Sequence, residues 1–216
     1  MLLEKENRTL RDDMKLGLIF GLLGGYLNAA AITILFYEIA PMSANWSGLA
    51  KEIGKSDNTG ILTFISLIFC FILGAYIGVI LTKKYDAGFV ALVEACLLIS
   101  ISFISKQNII VAIAAGGFAT GMQNGMTSYL SHHSVRTTHL TSTITDIGIS
   151  LARKDYKEAL VLGSKTFLYI CGAVAGVIIV KISGNMAFAF GGFYLIMFLA
   201  VKTIRSRYCM HNTLYK

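Results

Sequence analysis

Two polar segments of the chain carry hydroxyl and amide side chains at matched positions. These side chains belong, in chain order, to Ser43, Asn45, Thr141, Thr143 and Thr145. Each segment leads into a helix-like run, residues 47–53 and residues 145–153, and hydroxyl groups in front of a helix are suited to cap its N-terminus. The pattern therefore predicts two short helices with polar N-terminal ends.

The chemistry of such helix ends is that of solute binding. A helix N-terminus presents free N–H groups and the positive end of the helix dipole. If the chain turns inward after the preceding membrane span and returns as a short helix, the two N-termini meet near the middle of the membrane. That arrangement suits an anion or a polar, partly negative solute. The alternative is a pair of interfacial helices, with Trp46 anchored among the lipid headgroups.

Asn28 and Asn124 end two copies of a Gly-x-x-Asn motif, and both are candidates for the lining of the same site. Residues 74–80 likewise return as residues 172–178. The polar segments thus belong to two copies of a longer unit. We expect each copy to span the membrane an odd number of times, so that the copies lie in opposite orientations. Inverted repeats are the usual architecture of alternating-access transporters.

Membrane-spanning helices must position these residues. Hydrophobic residues make up 55% of the chain, charged residues make up 14%, and the mean hydropathy is +0.66, which excludes an ordinary soluble domain. Six stretches approach or exceed the roughly 20 apolar residues that cross a bilayer. They are residues 16–37, 60–82, 87–105, 108–130, 160–181 and 185–204. We expect an all-α integral membrane protein with six transmembrane helices, each satisfying its own backbone groups.

The repeats divide the chain into four parts. In order, these are an N-terminal segment 1–15, a first repeat 16–107 with helices 1–3, a second repeat 108–204 with helices 4–6, and a tail 205–216. Most of the 19 Lys and Arg residues then fall on one side of the membrane. The exceptions are Lys165 within a span and, on the other side, Lys51, Lys55, Lys106 and Lys181. The positive-inside rule places both termini in the cytoplasm, and the net charge of +7 needs no nucleic-acid partner.

Glu94 and Lys165 are ionisable residues within the predicted spans, at depths of about 10 and 8 Å from the cytoplasmic end. A lone charge in a span costs roughly 2.5–3.5 kcal/mol, so a partner or a water-filled cavity is expected. The two side chains could pair, or Lys165 could extend its amine to the headgroups. Glu94 and Asp146 are our candidates for groups that couple solute movement to an ion or proton.

Other side chains give no sign of catalysis. His132, His133 and His139 share one predicted loop, and a solvated, pH-sensitive loop is favoured over a metal site because no carboxylate or thiol completes the set. The sequence contains no Gly-x-Ser-x-Gly motif, phosphate-binding loop or His-Glu-x-x-His motif. We therefore expect no enzymatic activity, no metal and no cofactor.

Glycine recurs every four residues on two of the predicted helices. The two rows are Gly17, Gly21 and Gly25 on the first helix and Gly117, Gly121 and Gly125 on the fourth. Small residues at this spacing let helix backbones approach closely. The rows either build the bundle alone or also allow helices to slide, and exposed rows could join two copies in a homodimer.

Residues 25–29 and 42–45 resemble the first-half signature of the YoaK-like family of six-span bacterial membrane proteins. Residues 121–124 and 136–146 resemble its second-half signature closely. The resemblance covers most of the chain and implies a bacterial inner-membrane protein from a family of unknown function. The chain departs from the family pattern at Asn28, where family members typically have Asp. Coupling by a carboxylate at that position is therefore not expected here.

These features together predict a small secondary transporter or facilitator that binds a polar or anionic solute between inverted repeats in the lipid bilayer. The predicted lining consists of Asn28, Ser43, Asn45, Asn124, Thr141, Thr143 and Thr145. The alternative is a non-transporting scaffold or regulatory subunit of a larger membrane complex.

Overall fold

The chain folds into α-helices joined by short connections. A computed structural model describes residues 9–131, 135 and 140–214, and these residues form eight α-helices, one 3-10 turn and no strand. The helices are α1 (Leu10–Leu35), α2 (Met42–Lys55), α3 (Asn58–Lys84), α4 (Ala87–Ile104), α5 (Ile109–Leu130), α6 (Leu140–Ala152), α7 (Tyr156–Ser183) and α8 (Ala187–Leu214), with the 3-10 turn at Gly184–Met186. The prediction of an all-α protein is confirmed.

Five stretches of the described residues are long and apolar enough to cross a bilayer. They are Asp12–Leu35, Asn58–Lys84, Ala87–Ile104, Ile109–Leu130 and Tyr156–Ile204. The fifth stretch has 49 residues and contains both α7 and α8. Large apolar side chains such as Ile65, Phe69 and Ile72 are at least half exposed on the outer face of α3. Such a surface fits contact with lipid, so the chain is a multi-pass, membrane-like helical protein.

Helix α1 packs along α7, and glycine makes this contact close. A Cβ atom at Gly25 would overlap the backbone carbonyl oxygen of Tyr169, and a Cβ atom at Gly172 would overlap that of Leu22. Only glycine lets two helix backbones approach to this distance. The glycine row of the first span therefore lies in a helix–helix contact of the bundle.

The contact between α5 and α3 repeats this arrangement with the matching residues. A Cβ atom at Gly121 would overlap the carbonyl oxygen of Phe71, and one at Gly74 would overlap that of Phe118. Thus α1, the first helix of the first half, packs on α7, which follows the short helix α6 of the second half. In the same way α5, the first helix of the second half, packs on α3, which follows the short helix α2 of the first half. The glycine rows build the bundle, as expected. Sliding along them stays a hypothesis.

The short helices α2 and α6 begin earlier than the sequence predicts. Helix α2 starts at Met42, and its N-cap residue is Pro41, which has no capping side chain. The Ser47 hydroxyl instead donates to the Ser43 carbonyl oxygen at 3.2 Å, within the helix. The Thr145 hydroxyl donates to the Thr141 carbonyl oxygen at 3.0 Å in the same way. The prediction that the hydroxyl groups cap α2 is therefore wrong, because the helix already includes them.

Candidate solute-binding cavity between the short helices

The chain between α1 and α2 returns into the middle of the bundle. Phe36 ends α1 in the left-handed conformation, with a φ of 61°, and reverses the chain direction. The Asn28 side-chain oxygen then accepts hydrogen bonds from the backbone N–H groups of Ile39 at 3.2 Å and Ala40 at 3.3 Å. Asn28 belongs to the interior of α1 and is 8% exposed. It therefore holds the connection beside the helix rather than beyond its end.

Thr120 fixes the same connection from the opposite half of the chain. Its hydroxyl donates to the backbone carbonyl oxygen of Ile39 at 2.7 Å. Thr120 is fully buried and lies midway along the 22-residue helix α5. Because Ile39 contacts the middle of α5 and the interior of α1, the N-terminus of α2 starts deep in the bundle.

We expect Thr120→Val to lower the free energy of unfolding by about 1–2 kcal/mol, because the buried Ile39 carbonyl loses its donor. The substitution keeps the shape of the side chain. A thermal unfolding curve in detergent should shift down by about 4 °C. Thr33→Val is the matched control, since the exposed Thr33 hydroxyl bonds only within its own helix, to the Ala29 carbonyl at 2.7 Å. Equal midpoints for the two variants would contradict this role of Thr120.

The N-terminal ends of α2 and α6 meet at one cavity of about 780 Å³. Pro41, Met42 and Ser43 line it from the first half, and residues 140–142 line it from the second. Its remaining lining residues are Asn28, Glu38, Ala40, Thr145, Asp146 and Tyr169. The volume lies in the range of small-molecule sites, and hydroxyl, amide and carboxylate groups face it. The arrangement can hold a small polar molecule by several hydrogen bonds.

Glu38 and Asp146 are the charged residues of this lining. No ion pair joins either carboxylate to another residue in the described part of the chain. Glu38 is half-buried, and Asp146 is exposed toward the cavity side of α6. Tyr169 lies close to Asn28 and within electrostatic range of Glu38. The two carboxylates therefore dominate the charge of the cavity.

Five of the predicted binding and coupling residues line this one cavity. They are Asn28, Ser43, Thr141, Thr145 and Asp146. Asn45, Asn124 and Thr143 lie outside the lining. Asn45 is 1% exposed, and its amide nitrogen contacts the Met42 sulfur at 3.9 Å. Their assignment to the solute site stays a prediction.

Glu94 lies apart from the cavity. It is fully buried in α4, and neither carboxylate oxygen has a hydrogen-bond partner among the described residues. Lys165 instead extends along α1, where its side chain passes Gly17 and its amine interacts electrostatically with Asp13. The structure thus gives Lys165 a different environment, and the Glu94–Lys165 pair does not form.

Sequence reasoning missed Glu38 and Tyr169. Glu38 lies between the first span and the first polar segment, so its position beside that segment was a usable signal. Tyr169 lies within an apolar span and reaches the cavity because α7 packs on Gly25. No local pattern marks such a residue.

No group of His, Cys, Asp and Glu side chains that could hold a metal ion occurs among the residues described. His132, His133 and His139 lie outside those residues. The prediction that these three histidines form a solvated loop without a metal ion therefore stays a prediction.

The fold and the cavity define a class: an apolar, all-helical, multi-pass, membrane-like protein with polar side chains around one cavity between its helices. The chain belongs to the family described as "Protein of unknown function (DUF1275)", whose model matches residues 16–201. No curated protein and no solved structure matches the chain.

Proposed function

We propose that the protein is a secondary transporter or facilitator that moves a small polar solute across the bacterial inner membrane. The observation that carries this proposal is the meeting of two short-helix N-termini at one cavity that has polar side chains in its lining and lies between the helices of an apolar bundle. Helix ends directed at a buried site are the binding device of many transporters. On this proposal the protein is not an enzyme. The proposal also places the chain among the YoaK-like members of the DUF1275 family.

The proposal includes six membrane crossings. A straight helix of 49 residues would measure about 73 Å, more than twice the roughly 30 Å of a bilayer core. The 3-10 turn at Gly184–Met186 divides this stretch, which supports one crossing by α7 and one by α8. Three crossings in each half make the halves antiparallel, as inverted repeats. The distribution of Lys and Arg then places both termini in the cytoplasm.

The cavity lies near the membrane midplane in this arrangement. Ile39 contacts Thr120 in the middle of α5, and α2 begins three residues later. The 14 residues of α2 rise about 21 Å, enough to return from the midplane to the outer surface. By the same measure α6 returns to the cytoplasmic surface. The solute would therefore be reached from either side after modest movements of the bundle.

Purified protein in liposomes tests the proposal. We expect uptake of at least one small polar solute above the rate of empty liposomes, with a panel of labelled amines, polyols and carboxylic acids as probes. Rates equal to those of empty liposomes for the whole panel, together with a partner that co-purifies in fixed ratio, would favour the scaffold instead. Asn124→Leu and Thr143→Val then decide whether the predicted residues outside the lining take part.

Glu94 is proposed to couple solute movement to protons. A buried carboxyl group without a partner, inside a span, is the kind of group that exchanges protons in pumps and transporters. We expect Glu94→Gln to fold normally and to abolish accumulation driven by a pH gradient, because the amide does not ionise and so cannot take up and release a proton. Solute exchange at equal concentrations should continue at the wild-type rate.

Glu52→Gln is the control for that experiment. Glu52 lies near the outer end of α2, 3.7 Å from Lys51 and 3.5 Å from Lys55, away from both the cavity and Glu94. Accumulation should survive this change. Full accumulation by Glu94→Gln would remove Glu94 from the coupling mechanism.

A further inference from the structure

We propose that the solute of this cavity is a small organic cation, such as an ammonium-bearing molecule. The inference rests on the proposed function, since it names the chemistry of the same site. Two helix N-termini alone would favour an anionic solute, so this proposal differs from the expectation based on the helix ends. The charges that line the cavity decide between the two.

The charge balance of the cavity is negative over the lining residues that the structure describes. Each helix N-terminus contributes roughly half a positive charge. The N-terminus of α2 keeps this charge available, because Pro41 gives it no side-chain cap and no acidic residue lies in its first turn. Glu38 and Asp146 contribute two full negative charges. The sum of these groups is about one negative charge, so a solute with one positive charge complements the site.

Both carboxylates are available to a ligand. No Lys, Arg or His side chain among the described residues forms an ion pair with Glu38 or Asp146. Glu38 belongs to the first half of the chain and Asp146 to the second. A cation bound between them would therefore bridge the two halves. A cation between two carboxylates is attracted by both of them.

The size of the cavity favours an organic cation over a bare ion. A volume of about 780 Å³ exceeds the need of one ion and suits a small molecule with a few waters. The hydroxyl groups of Ser43 and Thr141 and the ring of Tyr169 supply hydrogen bonds and an aromatic face for the rest of the molecule. The free N–H groups of α2 can donate hydrogen bonds to a polar oxygen of the same solute.

Trp46 provides a direct readout of binding. It is the only tryptophan of the chain, and it lies one turn along α2 from the cavity-lining Met42. Its side chain is 57% exposed, so its fluorescence responds to changes around α2. Binding can therefore be measured without a label, separately from transport.

The test compares three solutes of similar size: ethanolamine as the cation, glycerol as the neutral molecule and lactate as the anion. Fluorescence titration of the purified full chain and uptake into liposomes are measured for each. We expect ethanolamine to bind and enter at least tenfold better than the other two. Glu38→Gln and Asp146→Asn should each weaken this binding about tenfold, whereas Glu52→Gln should leave it unchanged.

The outcomes separate the two proposals. Uptake of glycerol or lactate in preference to ethanolamine would overturn the cation assignment and leave transport standing. Cation binding without uptake would support the assignment and overturn transport. Absence of both binding and uptake for all three solutes in folded protein would overturn both proposals. Equal binding of ethanolamine by the wild type and by the Glu38→Gln and Asp146→Asn variants would overturn the cation assignment alone.

Discussion

Gly25→Ala is expected to lower the free energy of unfolding by about 3 kcal/mol, and the thermal midpoint in detergent by about 10 °C. The reason is a clash with backbone, since the new Cβ atom would overlap the carbonyl oxygen of Tyr169. A flexible side chain could move aside, but a helix backbone moves only if α1 and α7 separate. That separation loses packing along the whole contact.

Gly163→Ala is the matched control for that substitution. Gly163 also lies within a long helix, α7, but no described atom outside the adjacent backbone of α7 comes within 4 Å of the position where its Cβ would be. Alanine is the better helix former by up to about 1 kcal/mol, so this variant should be as stable as the wild type or slightly more stable. Equal losses in the two variants would show that the close approach at Gly25 carries no special cost.

Asn28→Leu is expected to reduce solute uptake at least tenfold. Leucine cannot accept the hydrogen bonds of the Ile39 and Ala40 N–H groups, and each buried donor left without an acceptor costs about 1–3 kcal/mol. The connection between α1 and α2 would then leave its position beside α1. The start of α2 would move with it, and the cavity would lose one of its two helix ends.

Asn28→Asp separates this positioning role from general disruption. A carboxylate oxygen can accept the same two N–H groups, so the connection should stay in place and the protein should remain folded. Uptake by the Asp variant should exceed that of the Leu variant, and circular dichroism with size-exclusion chromatography should verify the folding of both. Wild-type uptake by Asn28→Leu would exclude Asn28 from the site.

The sequence predicts the helical spans well because their signal is local. Long apolar stretches with few charges identify α1, α3, α4 and α5 closely, and the combined stretch of α7 and α8 needs only the turn at Gly184–Met186 to divide it. The start of α2 is harder to predict. Ser43 and Asn45 resemble residues in front of a helix, yet α2 already starts at Met42, with Pro41 as its N-cap residue.

The lining of the cavity is only partly visible in the sequence. Matched hydroxyl positions identify Ser43 and Thr141 because the repeat aligns them. Tyr169 enters the lining only through the packing of α7 on α1, and such a contact joins residues far apart in the chain. Glu38 has no counterpart of the same type in the second half, so the repeat gives no reason to select it. The repeat therefore predicts only one of the two carboxylates, Asp146, and Glu38 could be selected only by its position beside the first polar segment.

The exchange of partners between the halves has a consequence for biogenesis. Helix α1 packs against α7, which the ribosome completes only near the end of synthesis. Helix α3 likewise has no packing partner until α5 has been synthesised. The amino-terminal half alone would thus expose glycine faces that have no cover. Co-expressed fragments cut between α4 and α5 should therefore still associate, because each fragment carries the partner helices of the other.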